Sequence, residues 1–326
     1  MPAGPHRTER DLALETVRGL QAAGHAAYFV GGCVRDLLLH RVPQDYDIAT
    51  SATPAAVKRL FRHTKPVGRK FGVMLVIEDS LCVQVATFRG EADAPGDHRS
   101  DAACRDFTIN ALFFDPLTGA VGDTVGGRAD LDARLIRTVG SAEERFKADP
   151  LRLLRAVRLA AQLDFAIEPA TLQAIRAHAP LMRDTSVERV REELARIFKP
   201  PHAGRGLALL HAAALLHAAA LLPHALPEVA DGAWLHTRSY DVVIEQLCDR
   251  LAALPPGTAE TEPWVVLLHG LAGVAAAPSA GATAGASAQS GVASVEAVLK
   301  RLRFSTVQVR QIVKAVRERW LTDSAK

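Results

Sequence analysis

Gly31-Gly32-Cys33-Val34-Arg35-Asp36-Leu37-Leu38-Leu39-His40-Arg41-Val42-Pro43-Gln44-Asp45-Tyr46-Asp47 decides how this chain is read. A glycine pair follows the short apolar run Ala26–Val30, and two aspartates one residue apart close the stretch. Strand side chains alternate faces, so a strand over Asp45–Ala49 would project Asp45 and Asp47 to the same side. Adjacent carboxylates repel one another in water, but around a divalent cation they become hard oxygen ligands. Gly31 and Gly32 offer backbone N–H groups with no Cβ in the way, a suitable cradle for a triphosphate. A phosphate cradle beside metal carboxylates is the equipment of nucleotidyl transfer.

Outward from this stretch, the pattern is mixed α/β. Residues 8–24 read as an amphipathic helix ending at Gly24, Ala26–Val30 as a strand, and Val34–Leu39 as a short helix leaving the glycine turn. Thr53-Pro54 sets a cap and an N1 proline before a helix over 54–61. Val73–Ile77 and Leu81–Phe88 alternate as a hairpin around Glu78-Asp79-Ser80. Residues 90–103, rich in Gly, Ala, Asp and Pro, read as a loop. A short helix and strands near 112–114, 120–123 and 135–138 complete a head over residues 1–140. Helical periodicity then takes over: a neck over 141–200, with helices at 149–163, 169–178 and 186–198, and a body and tail over 201–326. Alanine- and leucine-rich helices are expected at 203–221 and an amphipathic helix or pair at 294–320. Residues 274–293 read as a low-complexity linker.

With 326 residues, 48% hydrophobic and 23% charged, the chain can bury a full core. No apolar stretch reaches the roughly 18–20 residues a bilayer span needs, and the N-terminus lacks an apolar signal core. The expectation is a cytoplasmic protein without a membrane partner. Its four cysteines lack metal-ligand or disulfide spacing. Net charge is only +3, but residues 1–70 carry eleven Lys/Arg against six Asp/Glu, either a solvated surface or a face for polyphosphate or RNA.

Five motifs in order resemble the class II tRNA nucleotidyltransferase and bacterial poly(A) polymerase family, over about residues 26–200. Tyr28–Asp36 with Asp45-Tyr46-Asp47 is similar to the family's phosphate-and-metal motif. Arg105-Asp106-Phe107-Thr108-Ile109-Asn110-Ala111 resembles its ribose-contacting motif, and Asp123–Leu131 its hinge between head and neck. Asp149–Arg158 resembles the nucleobase-reading helix, and Ser186-Val187-Glu188-Arg189 with Glu192-Glu193-Leu194 the helix bracing it. The resemblance implies an α/β head of the polymerase-β-like nucleotidyltransferase kind, with a mixed sheet, followed by an all-α neck and body.

The roles it implies are catalysis and Mg²⁺ binding by Asp45 and Asp47, and triphosphate binding by Gly31, Gly32 and Arg35. Arg105, Asp106 and Asn110 would contact the ribose, and Asp149, Arg152, Arg155 and Arg158 the base. Each has a plainer alternative. Arg35 and Asp36 could form a surface pair; Asp106 and Asn110, four apart on one helix face where they could hold a ribose hydroxyl, could instead be an ordinary N-cap and a surface amide. Asp149 and Arg152 could form an i,i+3 salt bridge, and Arg155 and Arg158 either bind phosphate or brace the helix. The implied activity is template-independent addition of C, or C and A, to tRNA 3′ ends from CTP and ATP, releasing pyrophosphate. A poly(A) polymerase using ATP alone is the alternative within the family. A catalytically impaired RNA- or nucleotide-binding homologue is the alternative of another class.

Several positions depart from the family pattern. Gln84 stands where a third active-site carboxylate is usual; an amide coordinates through its carbonyl but brings no charge. The loop between Arg89 and Arg105 is short, which points toward a CC-only product. Ala148 and Cys104 replace commoner charged residues. His236-Thr237 and Leu267-Leu268-His269-Gly270 resemble a phosphohydrolase remnant in which Gly270 stands for a metal-binding aspartate.

Overall fold

The computed structural model describes residues 7–67, 72–90, 96–216, 238–275 and 284–323. The chain divides into two compact units, Met1–Ser141 and Ala142–Lys326.

The first unit opens with α1, Glu9–Ala22, started by a capping box in which Thr8 and Asp11 satisfy each other's backbone N–H groups. Its buried face carries Leu12, Val17 and Leu20, each contributing roughly 1.5–3 kcal/mol by leaving water. It packs across β1 (Ala27–Val30), β2 (Asp47–Thr50) and β5 (Leu81–Thr87). Between β1 and β2 lies α2, Gly32–Leu38, and after β2 comes α3, Pro54–Leu60, where the Ala56 N–H donates to Thr53 Oγ1 at 3.3 Å. The strand β3, Thr64–Val67, has a largely exposed, Lys- and Pro-bearing sequence without alternation, which hid it from a pattern reading. Asp79, at φ 51°, turns β4 (Val73–Glu78) into β5.

Residues 90–103 are not all loop. His98–Ala103 form α4, capped by Asp97, whose carboxylate accepts from the N–H groups of Arg99 and Ser100. The Asp97-x-x-Ser100 spacing is the local signal that composition obscured. A 3₁₀ turn at Thr108–Asn110, β6 (Phe113–Phe114), β7 (Val121–Gly122) and α5 (Gly127–Asp132) follow. The sheet order is β3-β4-β5-β2-β1-β6-β7. All neighbours are antiparallel except β2 and β5, which run parallel with Asp47 opposite Gln84 and Ile48 opposite Val85. Alternation therefore sends buried Ile48 and Val85 to one face of the sheet, and Asp47 and Gln84 to the other.

The second unit is helical. It comprises α6 (Ala142–Ala148), α7 (Arg152–Leu163), α8 (Pro169–His178), α9 (Val187–Ile197), α10 (Ala203–Ala212), α11 (Arg238–Ala252), α12 (Glu262–Ala275), α13 (Ala284–Arg301) and α14 (Thr306–Asp323), with a two-residue strand, Ala166–Ile167, before α8. Asp164, in the left-handed region at φ 59°, ends α7, and Ser186 Oγ accepts from the Arg189 N–H to start α9.

The linker expected over 274–293 is overturned for its second half, since α13 begins at Ala284. Val292, Val295, Val298, Leu299 and Leu302 form a buried stripe. A helix so anchored propagates backwards through an alanine-rich segment, alanine being the best helix former. Residues 276–283, and the part of the 203–221 expectation from 217 on, lie outside the described residues.

Candidate active site

The end of β1 and the start of β2 place the first group of side chains. Val30 pairs with Asp47, and beyond Val30 the chain turns at Gly31 with φ 76° and ψ −137°. A side chain in that conformation would be strained. The neighbours there are Arg105 and Asp47: a Cβ would touch Arg105 Nη1 at 3.4 Å and Asp47 Oδ2 at 3.8 Å, in ordinary van der Waals contact. The glycine turn, the second aspartate and Arg105, distant in sequence, thus converge on one spot.

Asp45 is not in the strand. β2 starts at Asp47, and Asp45 lies exposed in the irregular segment before it, which is anchored by the buried Tyr46 ring packed edge-on against Phe29 at 5.4 Å. The two aspartates still feel each other. Burial pushes the Asp47 carboxyl up to about 6, repulsion from Asp45 adds to the rise, and Arg105 opposes it. Among the described residues no hydrogen bond or ion pair reaches the Asp47 carboxylate. Gln84, directly across from it on β5, is exposed.

Arg35 and Asp36 do pair, at 2.9 Å from Nε and 2.8 Å from Nη2. Arg35 Nη1 also donates to Asn110 Oδ1 at 2.9 Å, tying the glycine-turn helix to the 3₁₀ turn. Gly32 backs onto the same guanidinium, since a Cβ there would lie 3.5 Å from Arg35 Nη2. Asp106 and Asn110 do not share a helix face. Asp106 sits in a bend and accepts from the Phe107 N–H at 2.8 Å, while Asn110 ends the 3₁₀ turn; both are buried. The segment between them is not α-helical, because Phe107 is extended in a β-bridge with Thr138 and only Thr108–Asn110 turn, as 3₁₀. Arg105 donates from Nε and Nη2 to buried Asp101 at 2.9 and 2.8 Å, and its guanidinium lies over the Phe113 ring, 5.4 Å from the centroid.

The Asp123–Leu131 motif lies within the first unit. Asp123 accepts from the N–H groups of Val125, Gly126, Gly127 and Arg128. Burial raises its pKa, but these four bonds prevail and hold it below the usual carboxylate range. They cap α5, which packs on the 3₁₀ turn so closely that a Cβ at Gly127 would meet the Thr108 carbonyl oxygen at 2.2 Å. Thr108 Oγ1 adds a 2.6 Å bond to buried Asp130.

In the helical unit, Asp149 precedes α7 rather than lying on it, and Arg152 acts on it only as one charge among several. Its carboxylate is gripped by Arg189 of α9, Nη1 at 3.2 Å and Nη2 at 2.9 Å. Burial pushes the Asp149 carboxyl up, but Arg189 outweighs it and keeps the group below its ordinary value. Arg152 turns to the Arg145 carbonyl at 3.3 Å. Arg158 braces the helix through a 2.9 Å ion pair with buried Glu193 of α9, and Arg155 is half-buried on α7. The motif on α9 therefore holds both ends of the Asp149–Arg158 stretch.

Elsewhere in this unit, a cavity of about 560 Å³ is lined by Arg191, Arg196, Lys199, Trp264, Arg303 and Phe304, with Glu192 and Glu260 among its other neighbours. The remnant at Leu267–Gly270 is a packing device. His269 is buried near Trp320, and a Cβ at Gly270 would come within 2.4 Å of Leu247 on α11. His236-Thr237 lies outside the described residues.

Two carboxylates and an amide oxygen, Asp45, Asp47 and Gln84, fit a hard divalent cation. The half-buried, unpaired Asp47 is the group such a charge would relieve. Among the described residues no group of three or more His, Cys, Asp or Glu side chains is arranged to hold a metal, so any ion here rests on two charges rather than three.

Comparison with known proteins bears on the family and the fold. A family model described as "Poly A polymerase head domain" matches residues 27–137, and one described as "Probable RNA and SrmB- binding site of polymerase A" matches residues 164–231. The CCA-adding enzyme of Geobacillus kaustophilus (strain HTA426) is 44% identical over 212 residues, covering 61% of this chain and 52% of the relative. That of Geobacillus thermodenitrificans (strain NG80-2) is 39% identical over 274 residues, covering 79% and 62%. The chain thus spans between half and two thirds of the length of these curated relatives. Among solved structures, the Bacillus stearothermophilus CCA-adding enzyme in complex with CTP superposes with a TM-score of 0.64 at 32% identity, covering 97% of this chain and 83% of that one. A tRNA nucleotidyltransferase complexed with a primer tRNA and an incoming ATP analog shares the fold at 22% identity and a TM-score of 0.61, covering 95% and 84%. A mixed-sheet head and a helical remainder are what this chain shares with them: it belongs to the nucleotidyltransferase family of CCA-adding enzymes and poly(A) polymerases.

Proposed function

We propose that this protein is a template-independent RNA nucleotidyltransferase that adds C, or C and A, to the 3′ end of tRNA from CTP and ATP, releasing pyrophosphate. The observation that carries this reading is the convergence of Gly31, Arg105 and the unpaired Asp47 carboxylate on one spot of the head. The relatives named CCA-adding enzymes favour tRNA over a poly(A) product.

The residues divide the work. The glycine turn and Arg35 bind the triphosphate, and Arg105, Asp106 and Asn110 orient the ribose. Asp45 and Asp47, with the amide oxygen of Gln84, hold Mg²⁺. When bound, the cation neutralises phosphate charge and lowers the pKa of an oxygen nucleophile. Asp149 offers acceptors and Arg152 donors that imitate a base edge, so the protein rather than a template selects the nucleotide. Arg189 fixes the carboxylate's orientation for that task, Arg158 fixes the helix, and Arg155 meets phosphate. The basic cavity around Arg196 and Lys199 suits RNA phosphates. Nothing in this scheme needs a membrane, and among the described residues no helix is long and apolar enough to cross one; the cytoplasm is the proposed location.

Gln84 favours one competing reading, an RNA- or nucleotide-binding homologue with impaired catalysis. Purified protein is incubated with tRNA lacking its terminal CCA and with each nucleotide in turn. Incorporation of CTP, with or without a following A, supports the proposal, and a CC product alone fits the short segment after Arg89. Long A tails from ATP alone would transfer the assignment to poly(A) synthesis. Equal, zero incorporation by wild type and Asp47→Ala would leave only the binding role.

A further inference from the structure

Asp101 belongs to none of the motifs above, yet it is among the most buried charged side chains of the head, with 4% of the side chain exposed. It stands on α4, in the segment whose composition suggests a loop. Its Oδ2 accepts both Nε and Nη2 of Arg105, at 2.9 and 2.8 Å, and its Oδ1 accepts the Arg89 backbone N–H at 3.2 Å. Arg105 is thereby held along one edge by a carboxylate and on one face by the Phe113 ring. The remaining nitrogen, Nη1, donates to the Asn110 carbonyl at 3.4 Å and stands beside the glycine turn and Asp47. A guanidinium on a flexible stem would otherwise sample many orientations, and fixing it in one is what charge-assisted, two-point hydrogen bonding achieves.

We infer that Asp101 is a positioning residue for the nucleotide site: it aims the Nη1 end of Arg105 at the spot where Gly31 and Asp47 meet. This rests on the proposed contact between Arg105 and the nucleotide. α4 is itself tied to the end of β5, where Ser100 Oγ donates to the Arg89 carbonyl at 2.7 Å while the Arg89 N–H donates to Asp101. Gln84 and the anchor of Arg105 therefore sit on one connected piece of chain.

The test compares steady-state nucleotide incorporation by Asp101→Asn, Arg105→Lys and the double variant, with Ser100→Ala as a control that loosens α4 without touching the Asp101–Arg105 pair. Expected are a rise in nucleotide KM and a fall in kcat/KM of about 10- to 100-fold for Asp101→Asn, with RNA affinity unchanged. The double variant should lie within about 2-fold of Arg105→Lys alone, because both substitutions remove one interaction. Ser100→Ala should stay close to wild type. If Asp101→Asn melts below the assay temperature, Asp101→Glu, charged but one methylene longer, carries the same expectations. Effects that multiply in the double variant, or a Ser100→Ala defect equal to that of Asp101→Asn, would overturn the positioning role while leaving Arg105 at the nucleotide. Wild-type kinetics in Arg105→Lys would instead remove Arg105 from the site, and Asp101 with it.

Discussion

Asp47 and Asp149, one in each unit, are kept in opposite electrostatic conditions. Asp47 is half-buried, repelled by Asp45 and without a bonded partner among the described residues, and its pKa is pushed up to about 6. Asp149 is also partly buried, but two bonds from Arg189 overcompensate and lower its pKa. The head thus holds a carboxylate that is under-satisfied until a cation arrives. The helical unit holds one already satisfied and oriented, able to present a fixed pattern of acceptors. The first arrangement suits recruitment of a charge, the second discrimination between neutral shapes.

The contrast can be broken most severely at Asp47. Asp47→Ala should lower nucleotide incorporation by about 1,000-fold or more while RNA affinity stays near wild type, measured by single-turnover assay and filter binding. Loss of RNA binding in parallel would mean that Asp47 supports the fold instead.

At the satisfied carboxylate, Arg189→Met should free Asp149 and reduce the preference for CTP and ATP over UTP and GTP by about 10- to 100-fold in kcat/KM. Unchanged preference would separate Asp149 from base selection. Gln84→Glu sharpens the comparison from the other side. A third charge should lower the divalent-metal concentration for half-maximal incorporation by roughly 10-fold, read from a metal titration.

The smallest effect concerns stability without metal. Folded Asp47 holds its proton up to about 6, whereas an unfolded aspartate loses it near about 3.9. Between those values the folded state binds more protons, so stability falls as pH rises. Asp47→Asn escapes this loss. Its unfolding free energy, from denaturant titration, should exceed that of the metal-free wild type increasingly from pH 4 to pH 7, by up to roughly 1–3 kcal/mol. Added Mg²⁺ should stabilise the wild type and shrink the gap. A gap independent of pH would contradict the burial cost assigned to Asp47.

Much of the head was legible because its signals are local. Thr53-Pro54, Gly31-Gly32 and the hairpin around Asp79 each dictate their own backbone within a few residues. The site's partnerships are not local. Asp47 meets Gln84 only because β2 and β5 pair in parallel, and Arg35 reaches Asn110 across 75 residues. Asp149 meets Arg189 across 40, so an i,i+3 reading of Asp149 and Arg152 could not find it. Asp101 and Arg105 are four residues apart, a spacing the sequence did display. The acidic, glycine-rich composition around them masked a helix short enough to escape periodicity. α13 shows the reverse error, in which low complexity concealed alanine's readiness to extend an anchored helix.

Gly127 works as a spacer gauge. Because no carbon fits between it and the Thr108 carbonyl, its backbone sets how far the turn carrying Asn110 can retreat, and Asn110 in turn seats Arg35. An alanine at position 127 would therefore be felt at Arg35 and, in the role proposed for it, as a loosened grip on triphosphate, far from the place where the methyl group was added.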